Sequence, residues 1–376
     1  MKLIIKLYPF IFLFLPLFSI GQTDLIDSIT NVKIDHESEN PVHSILLYLE
    51  NLDKEAIYSK IFGNLDPSLK DAPENYQFKI ASSTKLFVAT LILQLAEEGK
   101  LNLNDKASQH LYAVDYLDFD NFHQLEEKIY SRKITIEQLL SHHSGLADIF
   151  SDRQQEFFSL LVQNPEKQFS PKSIIELYHQ FNLNKESHFE PGKGWYYSDM
   201  NYVLLGLIIE HIDQTSLAES IRTRILEPLE MKDTYFEYYE EPKQKKSQIN
   251  QYVGSINFTE INTSFDWAGG GLVSTNKDLA IFIKALFNLE LINKESLQNM
   301  IDVTYTKEHE SRYGLGVYES EYNGNTYFGH YGFYETYIGY CPETKTLISY
   351  CISQASADFN VYKFINEVLQ LFEGKN

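Results

Sequence analysis

From Leu86 to Ala96 only Thr90 and Gln94 are polar, so apolar side chains surround any helix drawn through this stretch. A helix of that kind sits inside a domain, covered on every side. It runs from about Ser83 to Glu98 and stops at Gly99, the residue that most easily takes the left-handed C-terminal position. Upstream, Phe78 to Ala81 is extended in character, and the β-rich runs Ser44–Glu50 and Ala56–Phe62 flank Asn51-Leu52-Asp53-Lys54 as a hairpin. Downstream, Leu101–Asp105 leads into a short amphipathic piece, and the acidic, aromatic residues 111–132 read as a surface excursion. Ile134–Leu140 starts a helix that ends in the turn Ser141-His142-His143-Ser144-Gly145-Leu146. Ser170-Pro171 opens another helix as cap and first residue, and a strongly apolar one spans Met200 to Ile212. A further helix ends at Glu227-Pro228, and the charged run Glu237–Gln251 is expected to be an exposed loop.

After Gly269–Gly271 the pattern changes. Leu272-Val273-Ser274 leads into a helix capped by Thr275, with Asp278 three residues on. Tyr313–Tyr318, Thr326–Phe328, Thr336–Cys341 and Leu347–Ile352 then read as strands, and Phe359–Phe372 closes the chain as an amphipathic helix. Strands near both ends with helices between them predict an α+β fold: one sheet assembled from the two termini, flanked by helices. The sheet part covers about 41–100 and 255–376, with a helical insert at about 101–254, and residues 22–376 are expected to form a single domain.

Composition adds an address and several exclusions. Lys2 and Lys6 precede an almost wholly apolar run, Leu7 to Ile20, with small residues in Ser19-Ile20-Gly21. This predicts a secretory signal removed after Gly21 and a secreted, periplasmic protein. The rival, an uncleaved anchor, has too short an apolar run for a comfortable span. No later stretch is long and apolar enough to cross a bilayer. The formal charge of −20, more negative still once the two leader lysines are gone, opposes nucleic acid as a partner. Cys341 and Cys351 fall on opposite faces of a predicted hairpin, so two separate buried thiols are expected rather than a disulfide. His142-His143 lacks the His-Glu-x-x-His spacing of a zinc helix, and Asp118 and Asp120 lack the glycine and closing glutamate of a calcium loop. No metal and no cofactor is expected.

The candidate chemistry sits at the start of the buried helix. Ser82 and Lys85 are three apart and share one face of the first turn. The helix N-terminus and burial both disfavour an ammonium, so a neutral Lys85 that takes the proton of Ser82 is expected. The same dipole, with the Ser82 backbone N–H, suits an oxyanion. A second copy of the spacing, Ser274 to Lys277, is a better helix start than a site, and on the local sequence alone a cap is the lesser alternative for Ser82.

Taken in order, the motifs resemble the serine β-lactamase-like family, in the branch of class C β-lactamases, D,D-peptidases, D-aminopeptidases and related esterases. Ile80-Ala81-Ser82-Ser83-Thr84-Lys85 looks like its nucleophile motif, and Leu139 to Leu146 like a structural signature of the branch. Phe189-Glu190-Pro191-Gly192 and Tyr197-Ser198-Asp199-Met200-Asn201-Tyr202 are similar to its tyrosine motif. Pro228-Leu229-Glu230-Met231 and Gly270–Thr275 follow, and His330-Tyr331-Gly332 stands where the family has Lys-Thr-Gly or His-x-Gly. The resemblance implies the β-lactamase/D,D-peptidase fold and an acyl-enzyme hydrolase acting on a small-molecule or peptide substrate. Ser82 would be the nucleophile, Lys85 its proton relay, and Tyr197 general base and acid with its phenolate favoured by the ammonium. His330 would line the opposite wall, and the N–H of Phe333, after Gly332, would be the second oxyanion donor.

Three departures count against efficient β-lactam hydrolysis. Asp199 stands where an amide is usual and would repel an anionic substrate group. His330 replaces a lysine that grips a carboxylate, and the bulky Phe333-Tyr334-Glu335-Thr336 follows Gly332. A peptidase or esterase is therefore the expected activity. The competing class is a catalytically weak penicillin-binding-type protein that binds peptide or peptidoglycan-like ligands. Among 26 tyrosines Tyr197 could be a core residue and Tyr196 the one facing the site. His330 could be structural, and Asp199 a helix cap. No glycine has serine two positions later, which excludes the α/β-hydrolase elbow. The sequence carries no signal for an oligomeric state.

Overall fold

The computed structural model describes residues 20–63, 71–244, 246–303 and 311–374. The expected leader lies outside the described residues except for Ile20 and Gly21, which begin the Ile20–Asn31 helix. Among the described residues no helix is long and apolar enough to cross a membrane.

Six antiparallel strands form the main sheet, in the spatial order Tyr318–Tyr322, Asn325–Gly332, Thr336–Cys341, Thr346–Ile352, Ser44–Asn51, Ala56–Gly63. The two ends of the chain join where Ser44–Asn51 pairs with Thr346–Ile352, in a register that sets Ile45 opposite Ile352 and Asn51 opposite Thr346. Strand alternation then divides the core. Ile45, Leu47 and Leu49 pack with Ile26 and with Phe364, Val368 and Leu369 of the Val361–Glu373 helix. Leu46 and Tyr48 face the larger cluster around the buried helix. Helices therefore cover both faces of one sheet. Cys341 pairs with Thr346 and belongs to the first cluster, while Cys351 belongs to the second, and both are free thiols.

The buried helix spans Thr84–Glu97, and every residue from Thr84 to Leu93 is buried. Gly99 takes φ +68° just beyond it. A single 3-10 turn, Ala81–Ser83, precedes it, so Ser82 lies before the regular helix rather than within it. A smaller sheet holds this turn from below. Gln77–Lys79 pairs with Leu272–Thr275, which pairs in turn with Tyr235–Phe236. The pairing continues one residue further through the Ile80 N–H, which donates to the Leu272 carbonyl at 3.0 Å. The Gly269–Gly271 run is thereby carried to the nucleophile turn. The insert contributes the Ile136–Leu140 helix with its Thr135/Gln138 capping box, the Pro171–Gln180 helix with the Ser170/Ser173 box, and the Asp199–Asp213 helix. The expected all-helical insert is corrected by one short strand pair among the described residues, Gln124–Leu125 with Lys128–Ile129.

Three stretches differ from expectation. Residues 111–132 are not merely a surface excursion: Phe119, Phe122, His123 and Ser131 are buried, and Phe122 stacks on Tyr178 at 4.7 Å. The Glu237–Gln251 loop dives inward at its end, where the Gln251 amide accepts from the Lys79 N–H at 2.8 Å and donates to the Lys79 carbonyl at 2.9 Å. A side-chain amide there does the work of a neighbouring strand. Tyr313–Tyr318 is no strand, because Gly314 and Gly316 turn the chain and the first strand starts only at Tyr318. The Gly314 N–H closes that turn on the Val317 carbonyl at 2.8 Å, and a Cβ at Gly314 would lie 2.2 Å from the Met300 carbonyl oxygen.

Candidate active site

Ala81 takes φ +46°, a conformation that costs a non-glycine residue of order 1 kcal/mol or more. The surroundings enforce it. Ser83 Oγ donates to the His330 carbonyl at 3.0 Å, Thr336 Oγ1 donates to the Ile80 carbonyl at 3.1 Å, and Thr84 Oγ1 accepts from the Leu272 N–H at 3.2 Å. The His330 strand is thus fastened edge-on to the Ser82 turn. Gly332 is required at this contact, since a Cβ there would lie 2.1 Å from Thr336 Oγ1 and 2.2 Å from the Ile80 carbonyl oxygen.

Lys85 is wholly buried, with Nζ 3.0 Å from Ser82 Oγ, 2.7 Å from the Gly269 carbonyl oxygen and 2.5 Å from Asp199 Oδ1. Those three acceptors match the three N–H bonds of an ammonium. The expected neutral amine is therefore corrected. The buried Lys85 and the half-buried Asp199 form an ion pair, and the departure from an amide at position 199 supplies the countercharge. Asp199 is the first residue of its helix, with Ser198 at the cap position, so it is not itself the cap.

Tyr197, not Tyr196, is the tyrosine that shares the cavity with Ser82. Its ring lines the same cavity as Ser82, whose hydroxyl is among the groups that act on its phenol, and Lys85 Nζ lies 5.0 Å from its ring centroid. Tyr196 points elsewhere: its hydroxyl donates to Asp152 at 2.9 Å and its ring stacks on His188 at 3.6 Å. The expected phenolate is not favoured. Burial, and after it the Asp199 carboxylate, push the Tyr197 phenol well above the ordinary tyrosine range.

His330 is also buried, and burial with the Lys85 charge pushes it down to about 3, so it is neutral. Nδ1 lies 2.6 Å from the Tyr331 carbonyl and must donate to it, which leaves Nε2 to accept from the Tyr313 hydroxyl at 3.0 Å. A neutral, doubly bonded imidazole lines the wall but cannot grip a carboxylate as a lysine would. Gly332 and Phe333 follow it along the same wall, and Phe333 is exposed at the mouth.

Several contributors escaped the sequence. His142 lies flat on Tyr197, ring centroids 4.2 Å apart, and its Nδ1 accepts from the Ser198 N–H at 3.2 Å and from Asn201 Nδ2 at 3.0 Å. The turn that reads in the sequence as a mere helix ending is the bed of the tyrosine. Tyr313 and Tyr318 flank His330, with nothing to mark them among so many tyrosines. Asp148 accepts from the Asp199 N–H at 2.8 Å and from the Ser151 N–H at 2.9 Å. Burial, with Asp199 second, raises both Asp148 and Asp266 to about 7. Each binds its proton more tightly folded than unfolded. Their burial therefore costs no stability below the usual carboxylate range and costs most above pH 7.

These groups stand at one end of a cavity of about 440 Å³ that reaches Ser82, Tyr197, Asp199 and His330. Among the described residues no cluster of potential ligands could hold a metal ion.

A serine beside a buried lysine and a tyrosine, on a sheet-and-helix scaffold with a helical insert, defines the class of penicillin-recognising proteins. The family model described as Beta-lactamase matches residues 56–370, and the chain belongs to that family. Among individual relatives, "Protein flp" of Staphylococcus aureus (strain MW2) is 31% identical over 231 residues, 60% of this chain and 42% of that protein. "Penicillin-binding protein 4*" of Bacillus subtilis (strain 168) is 28% identical over 313 residues, 78% of this chain and 64% of that protein. The chain thus spans less than two thirds of the length of either relative. In fold it is similar to the D-amino acid amidase of Ochrobactrum anthropi SV3, solved with L-phenylalanine amide, at a TM-score of 0.75 and 22% identity over 94% of this chain and 99% of that one.

Proposed function

We propose that the protein is a secreted serine hydrolase that cleaves an amide or ester bond through an acyl-enzyme on Ser82. The observation that carries this reading is the 3.0 Å contact of Lys85 Nζ with Ser82 Oγ at the floor of a cavity that Tyr197 also lines. Lys85 first hands a proton to Asp199 across 2.5 Å, and the lone pair this frees takes the proton of Ser82 Oγ as that oxygen attacks the carbonyl carbon. The oxyanion forms against the backbone N–H groups of Ser82 and Phe333. The Tyr197 phenol, protonated at rest, donates to the leaving nitrogen or oxygen as the tetrahedral intermediate collapses. Water then attacks the acyl-Ser82 ester, and the same groups run the transfers in reverse.

The test is the hydrolysis of short-chain esters and amino-acid amides by wild type and Ser82→Ala. The reading expects kcat/KM to fall by about 10⁴-fold or more in the variant. Equal rates in the two proteins would overturn it.

One observation favours a second reading, a penicillin-binding-type protein that binds peptide or peptidoglycan-like ligands and turns over feebly. The amine is tied into an ion pair and the phenol is held protonated, so no free base faces Ser82 at rest. A protein of this kind would bind its ligands as well after Ser82→Ala as before it, and would show no rate to lose.

A further inference from the structure

The cavity lining has a chemistry that the reaction does not use. Asp266 sits beside the Ser82 turn: a Cβ at Gly270 would lie 3.2 Å from Asp266 Cβ and 3.3 Å from the Ala81 carbonyl carbon. Its carboxylate faces the cavity and has no hydrogen-bond or ion-pair partner among the described residues. Asp148, Asp199 and Glu335 line the same space. No lysine or arginine does so among the described residues, and Lys85 is buried beneath the floor with its three N–H bonds already committed. The Lys79 and Lys85 ammonium groups both act on Asp266 through space, but Lys79 is held by Glu237 at 3.1 Å and Thr263 at 3.0 Å. Around the acidic end stand Phe150, Phe157, Phe158, Phe258, Phe265 and Phe333.

An unpaired carboxylate in an aromatic cavity is an expensive arrangement unless something positive joins it. A cation there gains a carboxylate partner and the faces of aromatic rings together. An anion would meet like charges with no lysine or arginine in the lining to offset them. We propose that Asp266 is the anchor of an ammonium subsite, and that the substrate carries a protonated amine next to a bulky aromatic or apolar group. The proposal rests on the hydrolase reading for its substrate, but not for its binding chemistry. The upward shift of Asp266 fits it, because a bound ammonium would relieve the same electrostatic burden that now favours the protonated acid.

The experiment is calorimetric titration at pH 8 of 2-phenylethylamine, 2-phenylethanol and 3-phenylpropanoate into the full-length protein carrying Ser82→Ala, with and without Asp266→Asn. The three probes share a ring and differ in charge, and no turnover is needed. The amine is expected to bind at least tenfold more tightly than the alcohol, and the carboxylate most weakly. Asp266→Asn should bring the amine-to-alcohol ratio close to one. Because each ratio is taken within one protein, a general loss of fold or affinity cancels. An amine that binds no better than the alcohol when Asp266 is present overturns the subsite, as does a ratio that survives Asp266→Asn. The comparison of probes in the Ser82→Ala protein alone decides the matter even if the second variant fails to fold. Absence of hydrolysis would count against the acyl-enzyme alone.

Discussion

Tyr197→Phe is expected to lower kcat about 10²- to 10⁴-fold, the usual contribution of a positioned acid or base, with little change in KM. The ring stays where it is. Its stack on His142 at 4.2 Å and its contact with Lys85 use the face of the ring rather than the hydroxyl, so the variant should fold normally. What disappears is the phenol O–H proposed to act beside Ser82 in the cavity. Tyr196→Phe is the control, because its hydroxyl bonds Asp152 outside the constellation. It should keep kcat within about threefold, well inside the loss that a positioned acid or base would give. Steady-state kinetics on one ester, with circular dichroism on both variants, reads the contrast. A Tyr196 effect as large as the Tyr197 effect would show that the wrong tyrosine has been assigned.

Lys85→Met should do two separable kinds of damage. It removes the relay, and it leaves the half-buried Asp199 carboxylate and the buried Gly269 carbonyl without their shared donor. Breaking one side of a fully buried ion pair costs about 3–5 kcal/mol, because the remaining charge stays desolvated. Since 18% of the Asp199 side chain is exposed, facing the cavity, the loss here should lie at the low end of that range or below it. Adding Asp199→Asn removes that charge, so the double variant should recover much of the lost stability in urea unfolding while remaining inactive. If the double variant regained activity along with stability, the lysine would be a structural ion-pair partner and the proton route through it would be wrong.

The fold was legible because its hydrophobic pattern is unambiguous where it matters. The buried helix, the first hairpin, the capped helices at Thr135, Ser170 and Thr275, and the pairing of Cys341 with Thr346 all follow from local spacing. Ser82, Lys85, Tyr197, Asp199, His330, Gly332 and Phe333 do converge on one cavity or its floor, as the ordered motifs implied. Their protonation was not legible. A charge state depends on neighbours far along the chain: Asp199 is 114 positions from Lys85, and nothing in either segment alone reveals a contact of 2.5 Å. The helix-dipole argument therefore pointed to a neutral lysine, when a carboxylate had been supplied to keep it charged. His142 and Asp266 were missed for a related reason. One lies in what looks like a simple turn and the other in a glycine-rich approach to a strand, and only tertiary packing turns them toward the site. The buried 111–132 segment shows the same limit, since its acidic residues masked the aromatic ones that pack.

At the centre of all this stands one covalent bond, between the hydroxyl oxygen of residue 82 and the acyl group of a substrate. It is seen most directly by acid-quenching the protein within seconds of mixing it with an activated ester, then mapping the modified peptide by mass spectrometry. The acyl mass should reside on the peptide containing Ser82, build up within one turnover, and be absent from Ser82→Ala. A protein that hydrolyses the ester with no adduct on that peptide, or with the adduct on another residue, would contradict the account.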